Sequence, residues 1–266
     1  MKLTTRGNTC AEFSDEDFEA LTAAAAKYRA AHRGFYRVIS FVAARVGDAS
    51  KLLEARLGSG VGMQIKDRVV ALAEDALSKG FVAATMGMDS SAEGERWVNY
   101  HKAMAVASGA GGGVLGLPGV LADATITTGI MMRSIADIAR TFPGEDLKRE
   151  DTRRACIEVF TFGETIEGGE DAGATYWATR TAIQQATIRE ALKIASARLG
   201  AVLSQKALAQ IVPLAGAVAG ASINYAFVEY FQDIARVHFT LRDLERRYPQ
   251  SETVKLCFEN LLAQIS

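Results

Sequence analysis

The chain has 266 residues, 49% hydrophobic, 23% charged and 8% aromatic, and thirty Lys and Arg against thirty-one Asp and Glu leave a net charge of −1. This apolar content can fill a substantial core and excludes a disordered chain. Near-neutral charge argues against a nucleic-acid binder, which needs a surplus of basic groups facing phosphates. With only four prolines, the composition favours long helices. The expected fold is all-α, a compact multi-helix bundle in a single domain over residues 1–266.

Cys10, Cys156 and Cys257 are odd in number and far apart. A disulfide framework and a cysteine-based metal site are therefore not expected. The first residues, MKLTTRGNTCAEFSDEDFEA, lack the apolar core of a signal peptide. The expected location is the cytoplasm, extending to the inner face of the membrane as a peripheral protein.

Ser14, followed by Asp15, Glu16 and Asp17, reads as a helix N-cap with acids in the first turn. Phe18, Leu21, Ala25, Tyr28, His32, Phe35, Ile39, Val42 and Val46 then recur at spacings of three and four. The pattern predicts a long helix over 15–46 with one narrow seam, His32 on it. Gly47-Asp48 ends it in this reading, a short helix follows over 49–57, and Gly58-Ser59-Gly60 breaks the chain again. Helical periodicity resumes over 61–86, a turn covers Met86–Ser91, and Ser91 with Glu95 suits another helix start.

Two uncharged runs follow. Ala103–Ala122, AMAVASGAGGGVLGLPGVLA, spans twenty residues between Lys102 and Asp123, and Ala207–Val228 spans twenty-two between Lys206 and Glu229. Each has the length of a bilayer crossing, yet much of each is Ala and Gly, which drive insertion weakly. Each contains a proline, Pro118 or Pro213, and small-residue pairs at a spacing of four: Gly109/Gly113, Gly112/Gly116 and Gly216/Gly220. Such pairs let helix backbones approach closely. The expected outcome is burial at the centre of the bundle rather than stable spanning. Amphipathic helices are predicted over 146–162 and 170–199. A last long helix runs from Pro213 to about Arg247, and a closing helix occupies 251–266.

No catalytic constellation is visible. HExxH, GxSxG and GxxxxGK[ST] are all absent, and Gly109–Val114 lacks the strand–turn–helix setting of a dinucleotide loop. The acidic loop with Glu164, Glu167, Glu170 and Asp171 lacks EF-hand spacing. No cofactor, metal or nucleic acid is expected. The candidates for a ligand site or polar core are Asp123, Arg133, Asp137, Asn224 and His238. A buried Asp123 needs a partner, and Asn224 and Arg133 are the two considered. Arg133, Asp137 and Arg140 share a helix face and form an ion-pair ladder at its plainest.

Taken together, Ser108–Gly113 with Leu117-Pro118, Met132–Ala139, Ile211–Gly220 and Asn224–Phe227 resemble the EcsC family of bacterial proteins, over about residues 60–248. The family takes its name from a protein encoded beside an ABC transporter. The resemblance therefore implies a helical accessory protein near a membrane complex, and it supplies no catalytic residues to carry over. The expected function is a non-enzymatic accessory protein associated with membrane lipid or a membrane-protein complex of the ABC-transporter type. The alternative is an intracellular carrier or sensor of an apolar ligand or lipid, and the third is a hydrolase using Asp123 or a neighbour. The small-residue spacings are also compatible with self-association.

Overall fold

The computed structural model describes residues 6–57, 61–85, 94–114, 116–163, 172–210, 216–249 and 252–265. Its first helix, α1 (Asp15–Leu57), starts where the cap chemistry requires. The Asp17 amide donates to Ser14 Oγ at 3.1 Å, and Ser14 Oγ donates to the Asp17 carboxylate at 2.8 Å. Leu21, Ala25, Tyr28 and Phe35 lie buried along the seam. The helix does not end at Gly47-Asp48 as the sequence suggests but continues to Leu57. A glycine inside a helix costs only about 1 kcal/mol relative to alanine, so without a cap it need not stop one.

Helix α2 (Val61–Thr85) packs on α7 (Ile188–Gln210) and on α4 (Gly116–Ala139). The first uncharged run is not one helix. It ends α3 (Gly94–Val114) and begins α4, and the two pack as an antiparallel hairpin. Pro118 is the third residue of α4, inside the first turn, where its missing N–H has no helical acceptor to lose.

After α4, Phe142-Pro143-Gly144-Glu145 forms a turn, closed by the Glu145 amide on the Phe142 carbonyl at 3.2 Å, with Gly144 at φ +79°. Proline and glycine at the two central positions are what a type II turn requires. The turn directs Glu145 inward. Helix α5 is shorter than 146–162, running Glu150–Val159 before a 3₁₀ turn at Phe160–Gly163.

The stretch expected as one helix over 170–199 is divided. Helix α6 (Ala172–Gln185) stops and α7 starts at Ile188. Thr187 is the reason: its Oγ1 accepts from the Glu190 amide at 3.2 Å, and its own amide donates to the Glu190 carboxylate at 2.8 Å. This reciprocal capping box sets a helix start inside an otherwise continuous pattern.

Helix α8 (Gly216–Arg247) is the central element and touches α1, α3, α4 and α5. Ile223, Phe227, Tyr230, Ile234, Val237, Leu241 and Leu244 are all buried along it. Pro213, the expected start of this helix, lies outside the described residues, as do the Met86–Ser91 turn and the acidic loop 164–171. Helix α9 (Thr253–Gln264) closes the base and is tied to the N-terminal 3₁₀ turn (Asn8–Cys10) by a Cys10–Cys257 disulfide. That bond corrects the expectation of no disulfide. The two cysteines are 247 residues apart in sequence, but their Cα atoms are 5.1 Å apart in space, and sequence separation carries no information about that distance. The described residues are arranged as nine α-helices without a strand, a compact all-α bundle.

Candidate ligand groove and polar core

Helices α3, α4 and α8 meet along a column of small and polar residues. At one level, Gly109 of α3 lies against Gly220 of α8 so closely that an added Cβ would stand 2.7 Å from the Gly220 carbonyl carbon. Gly112 lies against Asp123 and Gly119 of α4, with 2.7 Å between an added Cβ and the Asp123 Cβ. Gly113 is the penultimate residue of α3, and Gly116 and Gly216 open α4 and α8. The uncharged runs are therefore juxtaposed by glycine contact.

Asp123 is 2% exposed and lies inside this column. Its carboxylate accepts from Ser108 Oγ at 2.6 Å, Thr127 Oγ1 at 3.0 Å and Asn224 Nδ2 at 2.8 Å. Asn224 Nδ2 also donates to the Ala105 carbonyl at 2.9 Å and Thr127 Oγ1 at 3.0 Å. Of the two partners considered for Asp123, Asn224 is the one in contact, whereas Arg133 turns to Asp137 on its own helix. Two turns further along α8, Gln232 Nε2 donates to the Val98 carbonyl at 3.0 Å and to Ser134 Oγ at 2.8 Å. Each side chain from α8 thus ties both helices of the hairpin to it.

Further towards the base of the hairpin, His101 Nε2 donates to the Asp137 carboxylate at 2.7 Å. Arg140 lies 2.8 Å from the other carboxylate oxygen, and Arg133 Nε is 4.0 Å away. This cluster opens onto a surface groove of about 470 Å³ between α3 and α4, lined by Trp97, Tyr100, Met104, Ile126, Ile130 and Arg133 among others. Four of those side chains are large, apolar and about half exposed: Trp97 (48%), Tyr100 (51%), Met104 (42%) and Ile126 (50%). Ala103, Ala107, Gly111 and Ala122 are exposed beside them. Among the described residues of the first uncharged run, Gly109 packs on α8, whereas Ala103, Met104, Ala107, Gly111 and Ala122 are exposed. Asp123 does not line this groove, so a hydrolase built on it has no substrate path there.

His238 is elsewhere, fully buried between α5, α6 and α8. Tyr176 Oη is 2.9 Å from its Nδ1, and Glu158 is 3.2 Å from its Nε2. Burial pushes the imidazole below its ordinary value, against the opposing pull of Glu158. Arg180 lies 3.8 Å from Glu158 and pairs in two-pronged fashion with Glu245 at 2.8 and 2.5 Å. Nearby, Glu145 receives Arg242, Arg246 and Thr152 at 2.9, 2.6 and 2.8 Å. Burial alone would raise that carboxyl, but the two arginines and the threonine outweigh it and hold it low. Both clusters are closed ionic cores joining α8 to the elements around it.

Among the described residues no group of three or more His, Cys, Asp or Glu is placed to hold a metal ion. Sequence reasoning missed the groove's apolar wall, although Trp97, Tyr100 and Met104 follow helical spacing directly ahead of the uncharged run. It also missed Glu158 and Tyr176, which carry no local signal.

No curated protein and no solved structure matches the chain significantly. The model of the EcsC protein family matches residues 88–244, a span that holds the hairpin with its Asp123 and Asp137 contacts and nearly all of α8. More than half of the chain is matched, and the protein belongs to the EcsC family.

Proposed function

We propose that this protein is a non-enzymatic accessory protein that associates with the inner face of a membrane, or with a membrane complex of the ABC-transporter type, through the outward flank of the α3–α4 hairpin. The observation that carries this reading is the exposed, uncharged surface made by Trp97, Tyr100, Met104 and Ile126 with the small residues beside them. Indole and phenol rings favour the boundary between water and lipid, and a cluster of half-exposed large apolar groups marks an interaction surface. Among the described residues no helix is long and apolar enough to cross a membrane, which fits peripheral contact rather than spanning.

Flotation of the purified protein with neutral and anionic phospholipid vesicles tests it. The wild-type chain is expected to float with vesicles, and Met104→Asp or Ile126→Asp to remain in the dense fraction while keeping its helical circular dichroism. A wild-type protein that ignores every vesicle and never sediments with cell membranes would sink the idea.

The second reading, a carrier or sensor of an apolar ligand, is favoured by one specific observation. The groove's volume of about 470 Å³ falls within the range of small-molecule sites, roughly 300–1,000 Å³. Lipid extraction of freshly purified protein followed by mass spectrometry tests that reading.

A further inference from the structure

His101 is 7% exposed, and its ring lines the groove between α3 and α4. Asp137 fixes how that ring is used. The carboxylate pairs with Arg140 at 2.8 Å and accepts the Nε2 proton of His101 at 2.7 Å. A neutral imidazole held this way presents a lone pair on Nδ1. That nitrogen meets no donor among the described residues, and it is not sealed from solvent. A largely buried acceptor on the wall of an apolar groove leaves one hydrogen bond for a ligand to complete.

The charges at this end of the groove are already matched to one another. Arg133 and Asp137 are the charged side chains that line it, and they face each other at 4.0 Å, while Asp137 holds Arg140 and His101 as well. A charged head group would enter a cluster whose ions have partners, and its own desolvation would go uncompensated. The Tyr100 hydroxyl and the Trp97 indole N–H, which lie beside His101 on α3, are polar but neutral. Away from this end the walls are Ile130, Met104 and Ile126. Between Asp137 and Ile126 helix α4 rises by about 16 Å.

We propose that the groove binds a single-chain lipid with an uncharged hydroxyl head, of the class of long-chain alcohols and monoacylglycerols. Its hydroxyl donates to His101 Nδ1 beside Tyr100 and Trp97, and its chain lies along the hairpin past Ile130 and Met104 to Ile126. The inference rests on the carrier reading above and adds to it the head group, the atom that recognises it and the direction in which the ligand lies.

Trp97 and Trp177 are the only tryptophans of the chain, so Trp177→Phe in the full-length protein leaves Trp97 as the sole fluorescent reporter. In titrations at pH 8, below the solubility limit of each ligand, dodecanol is expected to bind about three- to tenfold more tightly than its methyl ether, the worth of one neutral hydrogen bond. It should also bind more tightly than dodecanoate. His101→Phe, with its helical circular dichroism retained, should bring the alcohol down to the level of the ether and leave the ether unchanged. Stearyl alcohol carrying a nitroxide near its hydroxyl should quench Trp97 strongly, and the same alcohol labelled near its methyl end only weakly. Gly129 lines the groove, and a Cβ there would meet nothing within 4 Å. Gly129→Met should therefore fold, occupy the trough and abolish binding of alcohol and ether alike.

Alcohol and ether binding equally well to the wild-type groove, dodecanoate binding more tightly than the alcohol, equal quenching by the two labels, or an alcohol preference that survives His101→Phe would each overturn the proposal and leave the carrier reading standing. Silence of all three ligands, or binding unchanged in Gly129→Met, would overturn the carrier reading beneath it as well, which distinguishes the two failures.

Discussion

Gly109 of α3 and Gly220 of α8 cross with their backbones in contact. A Cβ on Gly109 would stand 2.6 Å from Asn224 Nδ2 and 2.7 Å from the Gly220 carbonyl carbon, and no rotamer relieves an overlap with main chain. Gly109→Ala should therefore destabilise the fold by about 1–3 kcal/mol despite alanine's better helix propensity. Gly129→Ala makes the matched control, since its Cβ meets open space in an equally helical setting. It should stabilise by up to about 1 kcal/mol. Urea unfolding of the two variants checks both signs, and two shifts in the same direction would refute the close-crossing argument.

The glycine spacings at 109 and 220 were legible as close-approach signals because only small residues permit that distance. What they approach was not legible, since the pairing joins residues more than a hundred positions apart. The cap at Ser14 was legible for the same local reason, and the Thr187-x-x-Glu190 box was equally local but was hidden by continuous helical periodicity around it. Gly47-Asp48 misled in the opposite direction, because a glycine weakens a helix without supplying a stop. Trp97, Tyr100 and Met104 show the limit of periodicity: an apolar stripe reads the same whether another helix covers it or solvent does.

The Asp123–Asn224 contact makes Asn224 a structural keystone between three helices. Asn224→Leu would take a donor from Asp123 and strip the Ala105 carbonyl of its side-chain partner. The expected cost is about 2–4 kcal/mol, the penalty of an under-satisfied buried carboxylate added to a misfit side chain. The double variant Asp123→Leu with Asn224→Leu removes the unsatisfied charge and should recover part of that loss. A double variant no more stable to denaturant than Asn224→Leu alone would contradict this view of the pair.

The Cys10–Cys257 disulfide closes nearly the whole chain into one loop. Constraining the unfolded ensemble in this way typically stabilises by about 2–4 kcal/mol, so a reductant should lower the melting temperature and Cys10→Ser should reproduce the effect. Cys156 is fully buried, and burial pushes its thiol up. Native alkylation should therefore label no cysteine in the oxidised protein. Structural disulfides are rare in reducing cytosol, so trapping thiols in intact cells also tests the proposed location: a fully oxidised pair there would move the protein out of the cytoplasm.

The buried histidines give the fold a definite response to acid. Burial holds His238 below its ordinary value, as it does His32, whose ring is fixed between the Tyr28 carbonyl and the Tyr230 hydroxyl. Above the unfolded value of about 6.5 neither state binds these protons, and stability is independent of them. Below it the unfolded chain takes up protons that the folded chain resists, so stability falls, by at most about 1.4 kcal/mol per pH unit for each histidine. Glu145 adds a second loss of different origin. Its folded value lies below the unfolded one of about 4.3, so its contribution is complete above that value and is lost as pH falls through the folded one. Urea midpoints measured against pH should thus decline in two stages, the first beginning near pH 6.5 and the second below about pH 4.3. His238→Gln should make the first stage shallower without touching the second, and Glu145→Gln should make the second shallower without touching the first. Midpoints that hold constant from pH 7 to pH 5 would show that the imidazoles take up protons in the folded state as readily as in water, which their burial against Arg180, Arg242 and Arg29 opposes.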